Sequence, residues 1–142
     1  MSIPLSPRAR DFLTENGRAV VSTFRRDGSA QLSIVFCGYY AGTVAFTTTQ
    51  DRAKIPNLKR DPRCSLLVSA PEWQPYLVLE GEAKLLGPDN TPQVELLKVL
   101  RDVYRAAAHQ EHPNWAEYDA VMVKDRRWAV FLQPNRIYGP AA

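Results

Sequence analysis

Two runs rich in β-branched and aromatic residues, Arg18-Ala-Val-Val-Ser-Thr-Phe-Arg25 and Gln31-Leu-Ser-Ile-Val-Phe-Cys37, flank the turn Arg26-Asp27-Gly28-Ser29. Such residues suit a pleated, half-buried surface, and Gly28 can take the positive φ that a tight hairpin turn demands. The body of the chain therefore starts on a β-hairpin. A sheet begun this way must cover or close its edges.

Further strand-like runs follow at Thr43–Thr48, Cys64–Ser69, Tyr76–Leu86 and Asp125–Leu132, with a short closing segment at Ile137-Tyr138. Gly42 marks a turn, and Gly81 inside the fifth run predicts a bulge or a close backbone approach. Helical spacing occupies the remainder. Ser6 and Pro7 suit the start of a helix that Gly17 can end, with Leu5, Ala9, Phe12 and Leu13 on one face. Pro56 belongs in the first turn of a short basic helix that Asp61-Pro62 stops. Asp89-Asn90-Thr91-Pro92 opens a helix carrying Val94, Leu97, Leu100, Val103 and Tyr104, and Asn114 caps another carrying Trp115, Tyr118, Val121 and Met122. The expected fold is mainly β (α+β): a six-stranded antiparallel barrel with peripheral helices, closed because closure removes sheet edges.

At 142 residues the chain is expected to be one domain, spanning 1–142 without linker or repeat. With 23% charged and 45% hydrophobic residues the composition is that of a globular protein. Apolar runs such as Leu66-Leu67-Val68 fall far short of the ~20 residues that span a bilayer. Met1-Ser-Ile-Pro4 lacks the basic and apolar regions of a secretion signal, so no membrane partner and a cytoplasmic location are expected. Cys37 and Cys64 lie in strand-like runs without metal-ligand spacing, and are expected to be reduced and buried.

The net charge of +3 conceals a local feature. Arg52, Lys54, Lys59, Arg60 and Arg63 fall within RAKIPNLKRDPR, opposed only by Asp61. Thr47 and Thr48 end a strand just before it. Hydroxyls, two cations and a helix start converging on one place are what a phosphate needs, although a solvated basic helix face explains the segment as well; Lys59 and Arg60 are expected to belong to that solvated face. No aromatic residues interleave with these cations, so no nucleic-acid partner is expected. His109 and His112 in HQEH lack a third ligand and read as a helix-end loop rather than a metal site. No serine stands in a Gly-x-Ser-x-Gly elbow. Glu80 and Glu82 share a strand face that solvent exposure explains as well as acid–base chemistry does. Trp73, Tyr76, Trp115 and Trp128 suit a core or interface.

In order, DGSAQLSIVF, TTTQDRAKIPNLKRDPRCSLLV and YLVLEGEAKLL resemble the flavin- and deazaflavin-binding split β-barrel family related to pyridoxine 5′-phosphate oxidase. Met122-Val-Lys-Asp-Arg-Arg-Trp128 with Arg136-Ile-Tyr-Gly139 is similar to a branch of coenzyme F420-dependent enzymes. The resemblance covers about residues 8–139. It implies a homodimer with cofactor sites at the subunit interface. Gln31 and Ser33 through Phe36, Val35 included, would line the tricyclic ring. Thr47 and Thr48 would hold the ring edge or ribityl chain, and Arg52, Lys54 and Asn57 the phosphate. Tyr76 would reach the ring from the partner subunit. Gln31 and Phe36 stand where the oxidase proper has basic residues, which favours coenzyme F420 over flavin mononucleotide (FMN). The implied activity is hydride transfer to an unsaturated small-molecule substrate. The alternatives are an FMN-binding flavoprotein like pyridoxamine 5′-phosphate oxidase and a non-catalytic cofactor carrier or sensor. No residue is singled out as a proton donor.

Overall fold

The computed structural model describes residues 2–142; Met1, the first residue of the expected domain, lies outside them. In chain order the elements are α1 (Pro7–Glu15), β1 (Arg18–Phe24), β2 (Ala30–Phe36), β3 (Gly38–Tyr40), β4 (Thr43–Thr49), α2 (Lys54–Arg60), β5 (Arg63–Ser69), β6 (Tyr76–Leu86), α3 (Gln93–Ala108), α4 (Trp115–Lys124) and β7 (Arg127–Tyr138). The strands form one sheet in the order β2-β1-β5-β6-β7-β4-β3, and every pairing is antiparallel. The sheet curls into a barrel that stays open between β2 and β4.

Local chemistry explains most boundaries. The Ser6 hydroxyl accepts from the Ala9 amide, and Pro7 opens α1, which buries Ala9, Phe12 and Leu13. Gly28 takes φ 89° in the β1–β2 hairpin. Asn114 caps α4 by accepting from the Glu117 amide. Gly17 does not supply a left-handed cap. It is small because a Cβ there would meet the Cys37 carbonyl at 2.8 Å.

The strand count differs from the expected six. β3 is a three-residue strand that turns into β4 through Ala41 and Gly42, both at positive φ. It begins on a glycine, since a Cβ on Gly38 would collide with the Ala106 backbone on α3. A strand set by that approach has no local signal. Ile137-Tyr138 is not a separate segment either, because β7 runs unbroken through Pro134. Its register against β6 shifts between Glu80 and Gly81, where Gly81 opposes Pro134. A proline at a bulge costs no ladder bond. A Cβ on Gly81 would collide with the Gln133 carbonyl, so the expected close approach and the bulge occur together.

The main core lies inside the curl, where Val21, Phe46, Leu66, Leu77, Trp128 and Leu132 pack with Leu13 of α1 and Ile55 of α2. A second cluster joins Leu96, Leu100 and Val103 of α3, and Tyr118 and Met122 of α4, to Ala45, Ala129 and Phe131 on the other face of β4 and β7. Those two strands are thus covered on both faces, which accounts for their continuous apolar runs. Val94 and Val121 belong to the expected stripes but are exposed, because the helix faces meeting the sheet are centred on Leu100 and Tyr118. No described helix is long and apolar enough to cross a membrane.

Candidate functional site

The opening between β2 and β4 holds a recess of about 390 Å³. Ser33, Val35 and Phe36 line it from β2, Thr47 and Thr48 from β4, Arg52 from the turn before α2 and Lys54 from its first residue; Arg127 joins them from β7. β2 is an edge strand, and β3 pairs with β4 only as far as Ala45, so Thr47 and Thr48 also stand on an open edge. The recess follows from the sheet order.

Its electrostatics are one-sided. The Lys54 ammonium donates to the Ser33 hydroxyl at 3.1 Å. Partial burial, then the charges of Arg52 and Arg127, hold the Lys54 pKa below its usual value. Arg127 donates through Nη1 to Thr47 at 3.2 Å, while its Nε is buried without a partner. Among the described residues none of these three cations makes an ion pair. Like charges gathered around a recess destabilise the empty site and favour an anion within it.

The helix start contributes less than its sequence promised. α2 is seven residues long and has no side-chain cap. Pro56 has no N–H, the Asn57 amide donates to Ala53 and the Ile55 amide to Arg52. The positive character of the recess therefore comes from side chains.

Gln31 and Asn57 do not line the recess. The Asn57 side-chain amide, 6% exposed, donates to Thr23 at 3.1 Å and to Gln31 at 2.9 Å, and its oxygen accepts from Arg60 at 2.9 Å. Both groups are engaged, tying α2 to β1 and β2. Tyr76 lies apart, at the start of β6. Directly opposed residues share a sheet face, so Ile34, Val20, Leu67, Val78 and Tyr138 form a row across the open face of the sheet. Tyr76, two residues before Val78, stands on that face.

Sequence reasoning misses Arg127. Arg126 and Arg127 are adjacent and alike, but Arg126 turns to Gln50 at 3.2 Å and Asp89 at 3.3 Å. Only the pairing of Arg127 with Thr49 carries it to the recess. The other candidates have structural roles. His109 ends α3 in the left-handed conformation, and His112 accepts from the Asn114 amide and packs against Tyr104, Trp115 and Tyr118. No metal-binding cluster occurs among the described residues. Glu80 accepts from the Tyr138 hydroxyl and pairs with Arg136. Cys37 and Cys64 are free and buried, and burial pushes both thiols up to about 12.

A conserved hypothetical protein from Mycobacterium tuberculosis is similar in structure, at 20% identity and a TM-score of 0.76, over 97% of this chain and 85% of that one. A structure described as F420 reductase is similar at 22% identity and a TM-score of 0.64, over 96% of this chain and 98% of that one. A heme binding protein from Mycobacterium smegmatis matches at 17% identity and a TM-score of 0.67, over 99% of this chain but only 56% of that one. At these identities what is shared is the fold. The model of one family, described as pyridoxamine 5′-phosphate oxidase, matches residues 5–133, both edges of the recess included. The chain belongs to the pyridoxamine 5′-phosphate oxidase family, with its split β-barrel fold.

Proposed function

We propose that this protein is an oxidoreductase whose recess binds the phosphate of a flavin-type cofactor, with the deazaflavin coenzyme F420 ahead of FMN. The observation that carries this reading is the convergence of Arg52, Lys54 and Arg127 on one recess, none of the three in an ion pair among the described residues. The residues present fit such a group: a desolvated ammonium and a guanidinium with an orphaned N–H are donors in want of an anion. Arg52 and Lys54 would hold the phosphate; Ser33 would position the Lys54 ammonium; Thr47 and Thr48 would meet the polar chain; Val35 and Phe36 would pack on the ring. When bound and reduced, a deazaflavin supplies a hydride. The chain's contribution is anchoring, orientation and exclusion of water. Gln31 and Asn57 act through the scaffold, by fixing β2 against α2.

The working unit in this reading is a homodimer. Leu32, Ile34 and Phe36 project from β2 at 64%, 58% and 63% exposure. A contiguous apolar edge of this kind favours a protein partner, and a second copy would bring its Tyr76, which shares that face, to the ring. Coenzyme F420 ranks first because Gln31 is spent on Asn57 and Phe36 is apolar, leaving β2 without cations for a flavin mononucleotide.

Titrating the apoprotein with coenzyme F420 and with FMN tests the order; tighter FMN binding reverses it. Binding without turnover of enones, quinones or nitroaromatics would favour a carrier or sensor. Sedimentation of a single-chain species at micromolar concentration would remove the dimer.

A further inference from the structure

The segment between β4 and α2, residues 50–53, carries Arg52 to the recess. Arg52, Lys54 and Arg127 repel one another, so a loop free to move would swing Arg52 outward from the empty recess. The backbone bonds of the segment are local: the Arg52 amide donates to the Thr49 carbonyl at 3.2 Å and the Ile55 amide to the Arg52 carbonyl at 3.4 Å. The Thr49 hydroxyl donates to Asp51, two residues on. Among the described residues, the side-chain hydrogen bonds that tie the segment to distant parts of the chain are those of Gln50. Its carbonyl oxygen accepts from the Trp128 indole at 3.2 Å and from Arg126 Nε at 3.2 Å, one donor for each lone pair.

The two donors flank Arg127. Side chains alternate along a strand, so Trp128 turns into the main core while Arg127 lines the recess. Arg126 lies just before β7 and takes φ 49°, in the left-handed region that glycine usually fills after a helix. An arginine there costs backbone strain. What it adds is a side chain that donates to Gln50 and, through Nη2, to Asp89. A buried indole in need of an acceptor accounts for the Trp128 bond alone; a strained arginine bonded to the same oxygen is a second hold on the loop. We propose that Gln50 is a positioning residue for anion binding: by tying the loop that carries Arg52 to both neighbours of Arg127, it keeps the two guanidinium groups together against their mutual repulsion. This rests on the reading above that the recess binds a phosphate. Gln50 does not itself line that recess, so it acts through Arg52.

Gln50→Met keeps the length of the side chain and removes the acceptor. Titrated with inorganic phosphate at constant ionic strength, this variant should bind about tenfold more weakly than the wild type. Gln50→Glu, which keeps the acceptor with its charge facing Arg126, should recover most of the loss. Loosening of the fold alone gives a different pattern. In an Arg52→Ala background, Gln50→Met should lower the urea midpoint as much as it does in the wild type, yet weaken phosphate binding no further. Trp128 is one of three tryptophans and does not line the recess. Its ¹⁵N-indole signal should nonetheless move as phosphate fills the wild-type site, and stay fixed in Gln50→Met. Wild-type affinity in Gln50→Met, no recovery in Gln50→Glu, or equal weakening in both backgrounds would each overturn the proposal and leave the anion site standing. A Trp128 signal that stays still in the saturated wild type would overturn it without any variant. Phosphate that does not bind the wild type, or whose binding survives Arg52→Ala with Lys54→Ala, would overturn the anion reading and this proposal with it. Phosphate binding without binding of coenzyme F420 or FMN would remove the cofactor reading alone and leave the role of Gln50 supported.

Discussion

The basic segment divides at Asn57 into halves that use the same residue types for opposite ends. Beyond Asn57, each cation is consumed by its own chain. Lys59 pairs with Asp89 at 3.2 Å and lies over the Trp128 ring; Arg60 donates to the Phe24 carbonyl at 2.8 Å; Arg63 pairs with Asp61 at 2.7 Å and covers Phe24. Before it, Arg52 and Lys54 meet a third cation, Arg127, around a recess, and none of the three makes an ion pair among the described residues. The first arrangement supports the fold. The second costs stability, and a charge cluster that weakens the empty protein marks the place where a ligand is expected.

The largest effect should come from the residue that divides the halves. Asn57→Leu strands Thr23, Gln31 and Arg60 at once, and should lower stability by about 2–3 kcal/mol in urea unfolding while also loosening cofactor binding. Next is the unneutralised half. Arg52→Ala with Lys54→Ala should weaken cofactor binding by about 1.5–3 kcal/mol for each charged hydrogen bond removed, measured by calorimetry, without lowering the urea midpoint. Unchanged affinity would place the phosphate elsewhere and erase the contrast.

A pH titration sharpens the same point. The Lys54 pKa is lowered in the folded chain from the ordinary 10.5, so the native state releases its proton before the unfolded state does. The unfolded state then binds more protons, and this group's contribution to stability rises with pH up to 10.5. Anion affinity should fall across the same alkaline window, since the ammonium is what the anion needs. Lys54→Met should flatten both curves. The smallest effects belong to the consumed half: Lys59→Ala or Arg63→Ala should each change stability by less than about 1 kcal/mol and leave cofactor affinity untouched. A loss of affinity in either would join the halves again.

Legibility followed how local each cause is. The β1–β2 hairpin, the Ser6 and Asn114 caps, the Gly81 bulge and the Arg52–Lys54 pair each rest on a few adjacent residues, and each was readable. β3 was not, because Gly38 answers to Ala106 on α3. Asn57 carried the right residue type for a phosphate contact, yet its amide turns inward to β1 and β2. Val94 and Val121 show that spacing marks an apolar stripe without saying which edge of it meets the sheet.

What the sequence determined by itself was the β-rich architecture, the hairpin that starts it and the placing of two cations, Arg52 and Lys54, at the start of a short helix, since strand pattern, turn chemistry and charge spacing are written along the chain. Tertiary structure alone decided that β2 and β4 do not pair with each other, that Arg127 rather than Arg126 enters the opening between them, and that α3 and α4 wall a second recess beside it. Those outcomes depend on strand register and helix docking between residues as many as 80 positions apart, as in the bond from Arg127 to Thr47. No window of sequence contains both ends.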